Sequence, residues 1–260
     1  MAAMRRWSGI AGIAGMAACL LAAPALAQHA EVPESGRWQE MRYGFDEVGE
    51  TLELRYIEQV VALAAAGRLD TDRVLLRRVQ AIGDGLVAAA ATLKPEVALW
   101  QWEWHVAETP DVEANCEAGG KILVGGPFIR ALALDDGELA MLLAHEVAHA
   151  VAEHHRETLS EAMLMSKPHV PLEVAIERLG SDLPMQVRLA GLSHIQEREA
   201  DQLGMMIAHR AGWPARAMTA FYGKLAALAA TEGGAPLIAS HPSHTSRLSM
   251  ARGMARLLEP

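Results

Sequence analysis

The chain is poor in aromatic residues, which fill 5% of its 260 positions, and it has only two cysteines. Two cysteines cannot build a disulfide scaffold, so any fold must rest on a hydrophobic core. Positive charge is also scarce: 23 Lys and Arg stand against 32 Asp and Glu, for a formal net charge of -9. No surplus of cations faces phosphate, which disfavours nucleic-acid binding. What is abundant is apolar character, at 51% against 21% charged residues, and that balance excludes intrinsic disorder. With Ala and Leu plentiful, the expected fold is mainly α, of the α+β class. The length suits one domain, and no internal repeat or low-complexity tract divides it.

The only long apolar run opens the chain. Residues 1–27 carry Arg5-Arg6, an apolar stretch from Trp7 to Ala23, and then Ala25-Leu26-Ala27. A basic start, an apolar middle and a small-x-small end form a cleaved export signal. A membrane-spanning helix is the alternative, but the stretch is rich in Gly and Ala and hence weakly hydrophobic. Lipid attachment at Cys19 is opposed by the apolar run continuing past it. Cleavage would expose Gln28, remove two positive charges and leave Cys116 as the sole thiol, which reads as a small buried residue. No later stretch reaches membrane-spanning length, so the mature chain is expected in the periplasm without a transmembrane segment.

Residues 28–45 are polar, with Pro33, Gly36 and Gly44, and read as a mobile lead-in to a domain at 46–260. Apolar spacing near 3.6 predicts helices over Asp46–Ala66 and Thr71–Thr92. From Leu99 to Val106 the pattern alternates, with Trp100, Trp102 and Trp104 on one side of a half-buried strand. Lys121–Val124 reads as a second strand between Gly119-Gly120 and Gly125-Gly126-Pro127. Helices take over from Asp136.

The chemistry starts at His145-Glu146-Val147-Ala148-His149. Asp135, with Glu138 three residues on, forms a capping box that starts a helix with regular spacing as far as His155. On a helix, positions i and i+4 share a face, so His145 and His149 can offer two imidazoles to one tetrahedral Zn²⁺. Glu146 is placed to reach a zinc-bound water as general base. A catalytic site needs a third protein ligand. Glu197, in a helix spanning about Pro184 to His209, is the candidate, and Asp201 one turn later would hydrogen-bond a ligand histidine; a solvated charged face is the alternative for this cluster. Ala200 and Gly204 on that side permit close approach of the two helices. Glu199 reads as part of a solvated charged face. His154, His155, His169, His194, His209 and His244 have no partner at ligand spacing and are treated as ordinary.

His-Glu-x-x-His followed by Glu-x-x-Ala-Asp-x-x-Gly, here Glu197 through Gly204, resembles the gluzincin-type zinc metallopeptidase family of HtpX, BepA and the CAAX prenyl proteases. Asn115 with Gly119-Gly120-Lys121-Ile122-Leu123-Val124 is similar to that family's segment before its active-site helix. Ser240-His241-Pro242, with Arg247 beyond, is similar to its C-terminal motif. Cys116-Glu117 and Ala118 depart from the family pattern at the strand. The resemblance implies one Zn²⁺ per subunit, an active-site helix pair and a small sheet whose edge strand, Gly120 to Val124, holds an extended substrate by β-addition. It implies a periplasmic endopeptidase acting on unfolded or misassembled envelope proteins. For His241 it leaves several roles open: a gate, a fourth ligand, an oxyanion stabiliser or a mere helix cap. Two other classes remain, an assembly factor with a structural or closed zinc site and a different zinc hydrolase. Glu146 counts against the first, because a structural site needs no base.

Overall fold

The computed structural model describes residues 28–166, 169–232 and 244–259. Residues 1–27, read above as an export signal and containing Cys19, and the Ser240-His241-Pro242 motif lie outside them.

A short antiparallel hairpin, β1 (Gln28–Glu31) and β2 (Trp38–Met41), stands where the sequence suggested a mobile lead-in. Two long helices follow, α1 (Phe45–Ala65) and α2 (Arg73–Ala90), the latter capped by Asp72, whose carboxylate accepts from the amides of Val74 and Leu75. A 3₁₀ turn at Pro95–Leu99 consumes the start of the expected strand, so β3 runs only from Glu103 to Ala107. The tryptophan pattern holds regardless. Trp100 stacks on Trp102 and Trp102 on Trp104, with ring centroids 5.8 and 6.0 Å apart.

β4 (Ala114–Glu117) and β5 (Lys121–Gly125) complete a three-stranded sheet in the order β3-β5-β4. Gly119 and Gly120 make the turn between them with φ of +82° and +88°, a region only glycine enters freely. This order corrects the expectation for Gly120 to Val124. β5 is the central strand, parallel to β3 and antiparallel to β4. Its backbone groups are taken on both sides and all five of its residues are buried. Lys121 belongs to the sheet's own ionic contacts, with its ammonium 2.6 Å from Glu103 Oε1. No substrate strand can add to β5. The edges are β3, which packs on α2, and β4, which packs on α4.

The remaining elements are helical: α3 (Gly126–Ala131), α4 (Asp136–Val151), α5 (His154–Met165), α6 (Leu172–Ser181), α7 (Leu183–Arg210), α8 (Ala215–Glu232) and α9 (His244–Leu258). The α4 capping box forms as expected: Asp135 accepts from the Glu138 amide at 2.9 Å, and Glu138 Oε2 accepts from the Asp135 amide at 2.8 Å. Leu139, Met141, Leu143, Val147 and Val151 of α4 are fully buried, so apolar faces point almost all round. A helix apolar on every side belongs inside a protein, and α4 packs among α2, α7, α8 and β4.

One further expectation fails at the end of α4. Helical spacing continues in the sequence to His155, but the chain breaks at Ala152-Glu153, where Glu153 takes a left-handed φ of 53°. That conformation costs a residue with a Cβ on the order of 1–2 kcal/mol. Bonds from Lys94 at 2.6 Å and Arg156 at 2.8 Å to the Glu153 carboxylate offset it. Among the described residues no helix is long and apolar enough to cross a membrane.

Candidate metal centre

α4 presents His145 and His149 one turn apart, with Nε2 atoms 3.1 Å from each other. α7 crosses directly against them. Gly204 allows this: a Cβ there would sit 3.0 Å from the backbone carbonyl of Ala144 and the amide of His145. Glu197 Oε2 consequently lies 3.5 Å from His145 Nε2, and Glu197 Oε1 lies 3.3 Å from His149 Nε2. Donor atoms about 2.0–2.1 Å from a tetrahedral Zn²⁺ would stand about 3.3–3.4 Å apart; the observed spacings, which involve a different oxygen of Glu197 for each histidine, are of that size. We expect Gly204→Val to force α4 and α7 apart, costing about 1–3 kcal/mol in urea unfolding and weakening metal retention with it. A variant as stable as wild type would show that the helices have slack.

Tautomers supply an independent argument. Asp201 Oδ1 lies 3.0 Å from His145 Nδ1. A carboxylate can only accept, so Nδ1 carries the hydrogen and Nε2 turns a lone pair toward His149. That lone pair, 3.1 Å from His149 Nε2 and beside the Glu197 carboxylate, calls for a hydrogen or a cation to face it. Burial opposes charge on His145, yet Asp201 and Glu197 outweigh it and raise its pKa to about 10. Burial instead lowers His149, against the pull of Glu197. The site draws one positive charge.

Asp201 is itself held on three sides. Arg247 of α9 donates from Nε at 2.8 Å and Nη2 at 2.6 Å, and Tyr222 of α8 donates its hydroxyl at 2.6 Å. The guanidinium also lies over the Tyr222 ring, 5.2 Å from its centre. Although burial opposes ionisation of Asp201, the bonds from His145 and Arg247 hold it down at about 2. Tyr222 gave no signal in the sequence, where it reads as one more apolar position in a helix.

The outer edge of His149 was also hidden. Its Nδ1 lies 3.0 Å from Nδ1 of His154, a residue treated as ordinary. At about 100° per residue, an uninterrupted helix would turn position i+5 well away from i. The break at Glu153 folds His154 back. Beyond it stands Glu199, with Oε2 3.3 Å from His154 Nε2. Glu199 is not on a solvated face but buried, and Arg37 of the hairpin grips it with bonds of 2.7 and 2.8 Å. Burial drives His154 down to about 4, outweighing Glu199, so the ring is neutral.

Glu146 is half-buried on α4. Its charge is felt by Cys116 of β4, where burial first and Glu146 second push the free thiol well up. The edge strand thus passes beside the turn that bears Glu146. A cleft of about 650 Å³ opens next to His149, bordered by Leu52, Arg55, Glu117, Leu159 and Ile176.

Paired histidines on one helix and a glutamate on a second, beside a small sheet, define the class of metalloendopeptidases. The chain belongs to peptidase family M48, whose model matches residues 75–255. It is 28% identical to the beta-barrel assembly-enhancing protease of Yersinia pestis over 224 residues, covering 79% of this chain and 43% of the relative. It is 35% identical to the mitochondrial metalloendopeptidase OMA1 of Saccharomyces cerevisiae over 118 residues, or 43% of this chain and 33% of that one. Bovine OMA1 matches at 27% identity over 169 residues, 59% of this chain and 32% of the relative. The chain spans less than half the length of these relatives.

Proposed function

We propose that the chain is a zinc-dependent endopeptidase of the bacterial cell envelope that cleaves unfolded or misassembled proteins. The observation that carries this reading is the convergence of donor atoms from His145, His149 and Glu197, all within 4.8 Å of one another. His145, His149 and Glu197 would hold a Zn²⁺ that, when bound, would polarise the scissile carbonyl and lower the pKa of a water to about 7. The chain's own groups do the rest. Asp201 keeps the His145 Nδ1 hydrogen in place and so aims Nε2 inward. Glu146 accepts a proton from the attacking water and returns it to the leaving amine. An extended substrate pairs with β4, the edge strand, and sets one side chain into the cleft beside His149. Main-chain pairing of this sort tolerates many sequences but requires an unfolded segment. Relatives named for β-barrel assembly, together with the export-type start of the sequence, support the envelope as the setting. His241 is the group we place closest to a regulatory role, as a histidine that gates the metal.

His145→Ala, His149→Ala and Glu197→Ala should each lower zinc content in purified protein, with casein cleavage falling in parallel. Elemental analysis beside a protease assay reads both. Full zinc occupancy in Glu197→Ala would overturn the ligand assignment. In His241→Ala, gating predicts faster cleavage at unchanged zinc, and slower cleavage would replace the gate by an oxyanion role.

A further inference from the structure

The two histidine ligands are anchored differently. His145 has a carboxylate on its outer nitrogen, whereas His149 has another imidazole. Two like nitrogens 3.0 Å apart form a hydrogen bond only if one carries the hydrogen and the other a lone pair. The far end of His154 decides which. Its ring is 2% exposed, so each nitrogen needs a protein partner. Nε2 makes no well-aligned hydrogen bond, and Glu199 Oε2 at 3.3 Å is the acceptor beside it. Glu199 cannot donate, because Arg37 Nε and Nη2 hold both its oxygens and Ser35 Oγ adds a contact at 3.3 Å. The hydrogen of His154 therefore sits on Nε2, its lone pair on Nδ1, and the hydrogen between the two rings on His149.

Resting on the zinc reading above, we propose that His154 is a positioning residue for the metal ligand His149. It accepts the Nδ1 hydrogen of His149 and so keeps the Nε2 lone pair turned to the ion. Arg37, through Glu199, fixes the direction of that relay. The backbone of His154 is pinned too: Gln196 Nε2 donates to its carbonyl at 3.2 Å and to Glu157 Oε2 at 2.8 Å. Arg37 also pairs with Glu157. The hairpin that carries Arg37 precedes the family-matched region at 75–255, yet it is joined to a ligand inside that region. The relay is thus a feature of this chain's N-terminal hairpin as well as of its α4–α5 break.

The test compares wild type with His154→Phe, His154→Asn and Arg37→Met. Zinc affinity is measured by competition with a chromophoric chelator. The visible spectrum of the cobalt-loaded protein reports ligand geometry, and thermal unfolding reports the fold. His154→Phe should bind zinc about 10–100-fold more weakly, as expected when a ligand's outer partner is lost, and its cobalt bands should shift. His154→Asn should recover most of the affinity, since its amide oxygen can accept the same hydrogen. Arg37→Met should show a smaller loss in the same direction. Wild-type affinity and spectrum in folded His154→Phe would overturn the relay, as would an equal loss in folded His154→Asn. If His154→Phe does not fold, Arg37→Met decides, and unchanged metal binding there overturns it. A wild-type protein that takes up no zinc would instead refute the reading beneath.

Discussion

Glu146→Gln should leave zinc bound while slowing casein cleavage by about 10²–10⁴-fold, the usual share of a general base. The amide keeps the size of the carboxylate and removes only the ability to take a proton at neutral pH. None of the three converging donor atoms belongs to Glu146, so metal affinity has no reason to fall. Its half-buried position on α4 also means that the substitution strands no deeply buried charge. The same variant separates the reading from its strongest competitor. An assembly factor with a structural metal would keep its function in Glu146→Gln, because such a site has no proton to move. Near-wild-type cleavage by the zinc-loaded variant would remove Glu146 from the mechanism.

How much of this centre was legible in the sequence follows from how local each contact is. His145 with His149, and Glu197 with Asp201, are four residues apart, and helix geometry alone puts each pair on one face. The capping box at Asp135 and Glu138 is equally local. Ala200 and Gly204 were legible as a close-approach face because small residues have that consequence in any helix pair. The misses are all non-local or depend on a break. Spacing near 3.6 runs through Glu153 unchanged, so nothing in the pattern told that the chain turns there and carries His154 back to His149. Arg37 reaches Glu199 across 162 positions, and no periodicity encodes that reach. Glu199 looked solvated because a charged residue beside other charged residues usually is. β5 looked like an available strand through the family resemblance alone, although its apolar residues are continuous. That same continuity is what a strand buried on both faces shows, and its central place follows.

Arg247→Met should be the most damaging substitution outside His145, His149 and Glu197, costing about 3–5 kcal/mol, as breaking a buried pair from one side does. Asp201 is 1% exposed and Arg247 7% exposed, so water cannot replace the lost partner. Asp201 would keep only the Tyr222 hydroxyl and His145 Nδ1, and α9 would lose its ionic tie to α7. The pH dependence has a definite sign. In the metal-free protein the folded pKa of Asp201 is about 2, against about 3.9 for an unfolded aspartate. A depressed carboxylate contributes its stability above the unfolded value and loses it as pH falls through the folded one. That loss therefore lies between about pH 4 and pH 2. Without Arg247 the folded value must rise, so this contribution shrinks and the acid side of the stability curve flattens. Urea unfolding in the presence of a chelator, at pH 7, 4 and 3, measures both effects. Asp201→Asn should destabilise by a similar amount, since it leaves the guanidinium buried opposite an amide. It should also weaken zinc binding about 10–100-fold by freeing the His145 ring. If both variants unfold at the wild-type urea concentration, the Asp201–Arg247 pair is not what fastens α9 to α7.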